Sequence, residues 1–283
     1  MPDILSEQQI EQYKRDGVLF PIEVLSLDEV SFFRAALEDL HERLHGIARP
    51  QQPHLHFRWA YGLVTHPAVL DVVEQILGPN ILVHSTTIFR KWSRDKSYVS
   101  WHQDGYDLEF NVPALVSAWI ALSDSVAENG CLRVLPGSHW QKMPHDFTAA
   151  SEHNLLLTGL EVAHEVDEAQ AQDVILHPGQ MSLHHVNLLH GSNPNLSNTE
   201  RIGYAIRYIA SHVKETTWHY PVVLARGQYA EHHYDLAQHP PDGSIEKGIA
   251  AQVDFNRWIR HVQSIGGIRV SSERAETKER GSS

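Results

Sequence analysis

Apolar residues recur at helical spacing through the first 80 positions, then shift after Ile81 to short alternating runs. Ser6 with Gln9 forms a capping-box pattern that predicts a helix to about Asp16, closed by Gly17. Ser26 with Glu29 repeats it, and Val30, Phe33, Ala36, Leu37, Leu40 and Leu44 follow on one helical face, ending at Gly46. A Pro-rich connection, Arg49-Pro50-Gln51-Gln52-Pro53, leads to a third helix from Pro67 to Leu77, stopped by Gly78-Pro79. From Ile81 onward, β-branched and aromatic runs separated by Gly, Pro, Asn and Asp predict strands near 81–91, 98–104, 115–123, 130–135, 173–177, 180–190, 201–210 and 216–224. Residues 139–168 are polar and poorly periodic, an excursion over the barrel mouth, and 244–262 are helical.

This order predicts a mainly β fold with flanking helices, a double-sheet jelly roll of the cupin-like, double-stranded β-helix kind. One domain is expected over 1–270, with a helical lead at 1–80, a core at 81–227 and a C-terminal helical segment at 244–262. Residues 271–283 are charged without apolar spacing and read as a disordered tail.

Composition narrows the function. A formal charge of −12 disfavours nucleic acid and anionic membrane as partners. No run of 18 apolar residues exists, so no transmembrane helix is expected. The first residues show no basic patch with an apolar segment behind it, so no secretory signal is expected. The lone cysteine, Cys131, fits a reducing cytoplasm.

The chemistry concentrates in Trp101-His102-Gln103-Asp104. Side chains two apart in a strand share a face, so His102 and Asp104 can offer a nitrogen and an oxygen to one ion. His190 adds a second nitrogen, and two histidines with one carboxylate form the donor set of non-haem Fe(II) oxygenases. Arg201, opening the next β run, is a fixed cation suited to grip a carboxylate through two parallel hydrogen bonds. The chain has 21 histidines, so His-x-Asp alone is weak. Taken alone, His102 and Asp104 could equally be a surface histidine and a turn cap. A second copy, His233-Tyr234-Asp235, has no matching His and Arg downstream and is read as a decoy. His184 shares parity with His190, but six residues of continuous strand would carry it about 20 Å away. Arg207 shares parity with Arg201 and either anchors substrate or pairs with an acid. Trp119 by spacing alone belongs to the core.

Five separated blocks then point to a family. They are Val99 to Asp104, Ala118 to Asp124, Glu128 to His139, Gly179 to His185, and His190-Gly191-Ser192 through Arg201 to Ala205-Ile206-Arg207-Tyr208. Together they resemble the phytanoyl-CoA dioxygenase family of Fe(II)- and 2-oxoglutarate-dependent oxygenases over about residues 80–227. The resemblance implies His102, Asp104 and His190 as iron ligands, Arg201 as the anchor of the distal carboxylate of 2-oxoglutarate, Ser192 assisting it and Trp119 lining the pocket. It also implies O2 as co-substrate, with succinate and CO2 released. Related halogenases carry Gly or Ala where this chain has Asp104, so hydroxylation is expected over halogenation. Desaturation or epimerisation by the same centre, a zinc hydrolase and a catalytically inactive metal-binding jelly roll are the alternatives. Substrate contacts are expected from the helical lead, from residues 105–113 and from the 140–170 excursion, including Tyr106, Asp107, Phe110, His145 and Phe147. A small natural-product intermediate is the preferred substrate, ahead of an amino-acid derivative or an acyl thioester. Oligomeric state is not legible.

Overall fold

The computed structural model describes residues 4–44, 50–106, 108, 111–112, 114–147, 151–156, 159–214, 221–240 and 244–264, with side chains of the last segment to 258. Asp107, Phe110, Gly46, Arg49, the start of the strand expected at 216–224 and the 271–283 tail lie outside these residues.

The two capping boxes form as the spacing predicts. Ser6 opens α1 (Glu7–Asp16), which ends at Gly17 with φ 74°, and Ser26 opens α2 (Leu27–Arg43). Three elements in the lead were not anticipated. One is strand β1 (Val18–Glu23), one a single 3-10 turn (Pro53–Leu55) inside the Pro-rich connection, and one α3 (Arg58–Val64) ahead of α4 (Pro67–Leu77). β1 carries Pro21 yet pairs with a later strand, because it is the outermost strand of its sheet and a missing N–H there breaks no ladder. No local pattern could have revealed that pairing.

Strands β2 (Ile81–Lys91), β3 (Val99–His102), β4 (Leu115–Ala121), β5 (Leu132–Val134), β6 (His145–Asp146), β7 (Glu161–Val162), β8 (Gln172–Val174), β9 (Gln180–His185), β10 (His190–Ser192), β11 (Arg201–Ala210) and β12 (Val223–Arg226) follow, then α5 (Ile245–Ser264). They build a six-stranded sheet, β1-β9-β4-β11-β2-β12, facing a four-stranded sheet, β3-β10-β5-β8, all with antiparallel pairing. This is the jelly roll. The excursion contributes its own small hairpin, β6 with β7.

Along β11, side chains alternate faces with period two. Ile202, Tyr204, Ile206 and Tyr208 join α2, α3 and α4 in the main hydrophobic core behind the larger sheet. Burying one such isoleucine contributes about 1.5–3 kcal/mol. Arg201, Ala205 and Arg207 face inward, between the sheets, where Trp119, Leu132, Val134 and Val174 form a smaller apolar layer. The helices therefore rigidify the sheet from behind while its front holds polar chemistry. No helix among the described residues is long and apolar enough to cross a membrane.

Candidate metal and co-substrate site

β3 ends at His102 and β10 begins at His190, and the antiparallel register sets these two residues opposite each other. Their rings lie 4.1 Å apart, both buried. Each ring turns Nδ1 to a carbonyl two residues back: His102 to Ser100 O at 2.9 Å, His190 to Leu188 O at 2.8 Å. A carbonyl only accepts, so each Nδ1 carries a hydrogen, and in the neutral ring Nε2 is the nitrogen with the lone pair. Nε2 of His102 is buried and has no hydrogen-bond partner. Asp104 sits in the turn just beyond β3, rather than within the strand as expected. Gln103 pins that turn: its amide donates to Gln141 O and Asn187 O, and its Oε1 accepts from Met143 N.

One ligand atom from each of His102, Asp104 and His190 lies within 4.8 Å of the others. The Asp104 side chain is 5% exposed. Burial alone would raise its pKa, but the Arg207 guanidinium and the flanking imidazoles outweigh burial and hold the carboxyl well below its usual range. Arg207 donates to Oδ1 at 2.5 Å and Ser117 to Oδ2 at 2.8 Å. Burial, reinforced by His102, pushes His190 well below the ordinary imidazole value. A neutral imidazole and an ionised carboxylate are the forms that bind a cation, and the orphaned Nε2 points to what is missing. The donor set fits a divalent transition metal with one face left open.

His184 overturns one expectation. The chain does not run as one strand from 180 to 190. It turns between His185 and His190, with Leu188 N bonded to His185 O and Gly105 N to Val186 O. That fold-back brings the His184 ring to 4.8 Å from the His190 ring, not some 20 Å away, with Nε2 3.8 Å from Asp104 Oδ2. Its Nδ1 is buried and unpartnered. His184 lines the same pocket as the triad but is not part of the metal-holding group. In the decoy, Tyr234 is buried in a separate apolar cluster and the backbone of Asp235 pairs with Val222, so that motif is structural.

At the other end of the pocket, Arg201 is 2% exposed and donates to Gly130 O at 2.6 Å. Its guanidinium carbon lies 5.1 Å from the Trp119 ring centre, and its Nε has no partner. Burial lowers it to about 10. Lys91, its register partner on β2, is 0% exposed and was not singled out by the sequence, because only the pairing of β2 with β11 places it there. Among the described residues, neither cation meets a carboxylate. Trp119 stacks on Gly203, where a Cβ would lie 1.8 Å from the indole. Gly203→Ala is therefore expected to expel the indole and destabilise the fold by about 1–3 kcal/mol, read by urea denaturation. An unchanged midpoint would show that Trp119 is not held there.

The family described as Phytanoyl-CoA dioxygenase (PhyH) matches residues 2–203. A probable alpha-ketoglutarate-dependent hypophosphite dioxygenase of Stutzerimonas stutzeri is 32% identical over 173 residues, 56% of this chain and 57% of that protein. The peroxisomal phytanoyl-CoA dioxygenase of Homo sapiens is 30% identical across 58% of this chain and 48% of its own length. The chain thus aligns with about half the length of these curated relatives. An ectoine dioxygenase of Halomonas elongata is 28% identical over 70% of this chain and 68% of its own. Among solved structures, the apo form of the non-heme monooxygenase ThoJ superposes with TM-score 0.75 at 30% identity, covering 90% of this chain and 98% of that one. CytC3 with Fe(II) and alpha-ketoglutarate shares the fold at TM-score 0.60 and 20% identity, over 82% of this chain and 93% of its own. With a match that spans most of its length, the chain belongs to the phytanoyl-CoA dioxygenase family.

Proposed function

We propose that the protein is an Fe(II)- and 2-oxoglutarate-dependent oxygenase of a small molecule. His102, Asp104 and His190 hold the metal, Arg201 with Ser192 takes the distal carboxylate of 2-oxoglutarate, and Trp119 walls the pocket. The observation that carries this is one ionised carboxylate and two buried imidazoles converging in the same pocket as a buried guanidinium that meets no carboxylate among the described residues. A buried unpaired cation is costly, and a bound diacid supplies its counter-charge. Iron(II) with 2-oxoglutarate and O2 would supply the oxidising power, releasing succinate and CO2.

The residues of the chain do the positioning. Ser100 and Leu188 carbonyls fix both histidine tautomers, and Ser117 with Arg207 fixes the carboxylate plane. Arg207, 17% exposed and lining the pocket, pairs with Asp104 and is the substrate contact in this reading. Because Asp104 would supply a carboxylate ligand where related halogenases carry Gly or Ala, hydroxylation of an unactivated C–H bond is the favoured outcome, and a natural-product intermediate the favoured substrate. Anaerobic addition of Fe(II) and then 2-oxoglutarate is expected to produce a weak visible charge-transfer band. A metabolite panel scored for succinate then identifies the substrate. A colourless complex, or zinc-dependent hydrolysis indifferent to O2, would overturn the assignment.

A further inference from the structure

Lys91 Nζ has three neighbours within hydrogen-bond distance: Ser192 Oγ at 2.7 Å, Gly130 O at 3.2 Å and Asn193 O. Two of these are carbonyls, which only accept, and the third is a hydroxyl, which can do either. Gly130 O also accepts from Arg201 at 2.6 Å, so the two basic side chains share one carbonyl. Ser192 lines the same pocket as Arg201 and the triad, and Lys91 is its hydroxyl's one partner among the described residues.

The state of Lys91 therefore decides where the Ser192 proton points. An ammonium has three donors and fills all three neighbours, which leaves the serine hydroxyl free to donate into the pocket. A neutral amine has two donors, both taken by carbonyls, and its lone pair then captures the serine proton. We propose that Lys91 is a positioning residue of the co-substrate site: in its ammonium form it turns Ser192 O–H toward the distal carboxylate that Arg201 grips, so that binding of the diacid takes up a proton at Lys91 Nζ.

This rests on the 2-oxoglutarate reading above. Burial, with Arg201 as the neighbouring like charge, lowers Lys91 to about 6. The other groups that face it are Cys131, a neutral thiol pushed up to about 12, and Asp95, whose charge favours the ammonium weakly. The empty protein thus holds mostly neutral amine near pH 7.5, and the proton comes from solvent when the carboxylate arrives. The sign follows. Binding raises the Lys91 pKa, so affinity for the diacid is greatest below the empty-state value and declines as pH rises through the bound-state value.

The test is anaerobic calorimetry of the Fe(II)-loaded full chain with two ligands. One is 2-oxoglutarate; the other is 2-oxopentanoate, which has the same chelating end and a methyl in place of the distal carboxylate. Wild type is expected to prefer the diacid and to take up close to one proton with it at pH 7.5, read from heats in two buffers. Lys91→Met should weaken the diacid about tenfold, leave 2-oxopentanoate within twofold, and take up no proton. Ser192→Ala should do the same to affinity, and the double variant should be no worse than either single, since the two act as one unit. Equal loss for both ligands in Lys91→Met, additive losses, or proton uptake that survives the substitution would overturn the role of Lys91 alone. A wild type that binds both ligands equally would overturn the co-substrate reading itself.

Discussion

His190→Ala is expected to reduce substrate-dependent succinate formation to background and to abolish stable metal retention. His190 supplies one of the two imidazole nitrogens in the cluster, and its partner across the ladder, His102, cannot fill both positions. Loss of an outer-shell partner of a metal ligand costs about 10–100-fold in affinity or activity, so deleting a ligand itself should exceed about 100-fold. The same substitution removes a buried ring from the sheet interface, so the folded fraction must be checked by denaturation before metal is counted. His184→Ala is the control that gives the experiment its edge. His184 stands 4.8 Å from the His190 ring yet outside the metal-holding group, so its removal should leave one equivalent of metal bound. If His184→Ala lost the metal while His190→Ala kept it, the ligand set would need redrawing.

Arg201→Met separates affinity from stability. Truncating one member of a buried charge pair costs about 2–5 kcal/mol, which corresponds to a rise in the 2-oxoglutarate Kd of roughly 30- to 4,000-fold. In the ligand-free protein the effect should run the other way. Arg201 is 2% exposed with an unpartnered Nε and, among the described residues, no carboxylate partner, so an apolar side chain of similar length removes a buried charge that lacks a counter-ion. Unfolding in urea without co-substrate is expected to be unchanged or to shift to higher concentration. Anaerobic titration and denaturation of the same preparation read both effects. A variant that bound 2-oxoglutarate within threefold of wild type would remove the guanidinium from the anchor.

His102, Asp104 and Arg201 stand out in the sequence, and the reason is local. His102 and Asp104 lie two apart at a strand end, and Arg201 opens a ten-residue strand whose period-two pattern marks its inward face. The capping boxes of α1 and α2 were equally legible, because each is closed by residues three apart. Periodicity also placed β2 and β11 where they occur, since each has enough residues to display its alternation.

The rest depended on hydrogen bonds between distant segments. β1 becomes a strand because β9 offers it an edge, 157 residues away at the Glu23–Gln180 pair, despite a proline that argues against strand. The 180–190 run reads as one strand by composition. It breaks because Gly105 binds the backbone of Val186, where a Cβ at position 105 would collide with Asn187. That break carries His184 into the site.

By itself, the sequence determined that His102, Asp104 and His190 form one cluster, where α1 and α2 are capped, and that the strands would stack in two layers. Those properties follow from spacing along the chain, which local geometry translates directly into faces and turns. Only the tertiary structure decided that Lys91 stands beside Arg201, that His184 joins the pocket and that Arg207 holds Asp104. The first follows from the β2–β11 ladder register, and the other two from turns that fold distant segments against each other, which no local stretch of the sequence encodes.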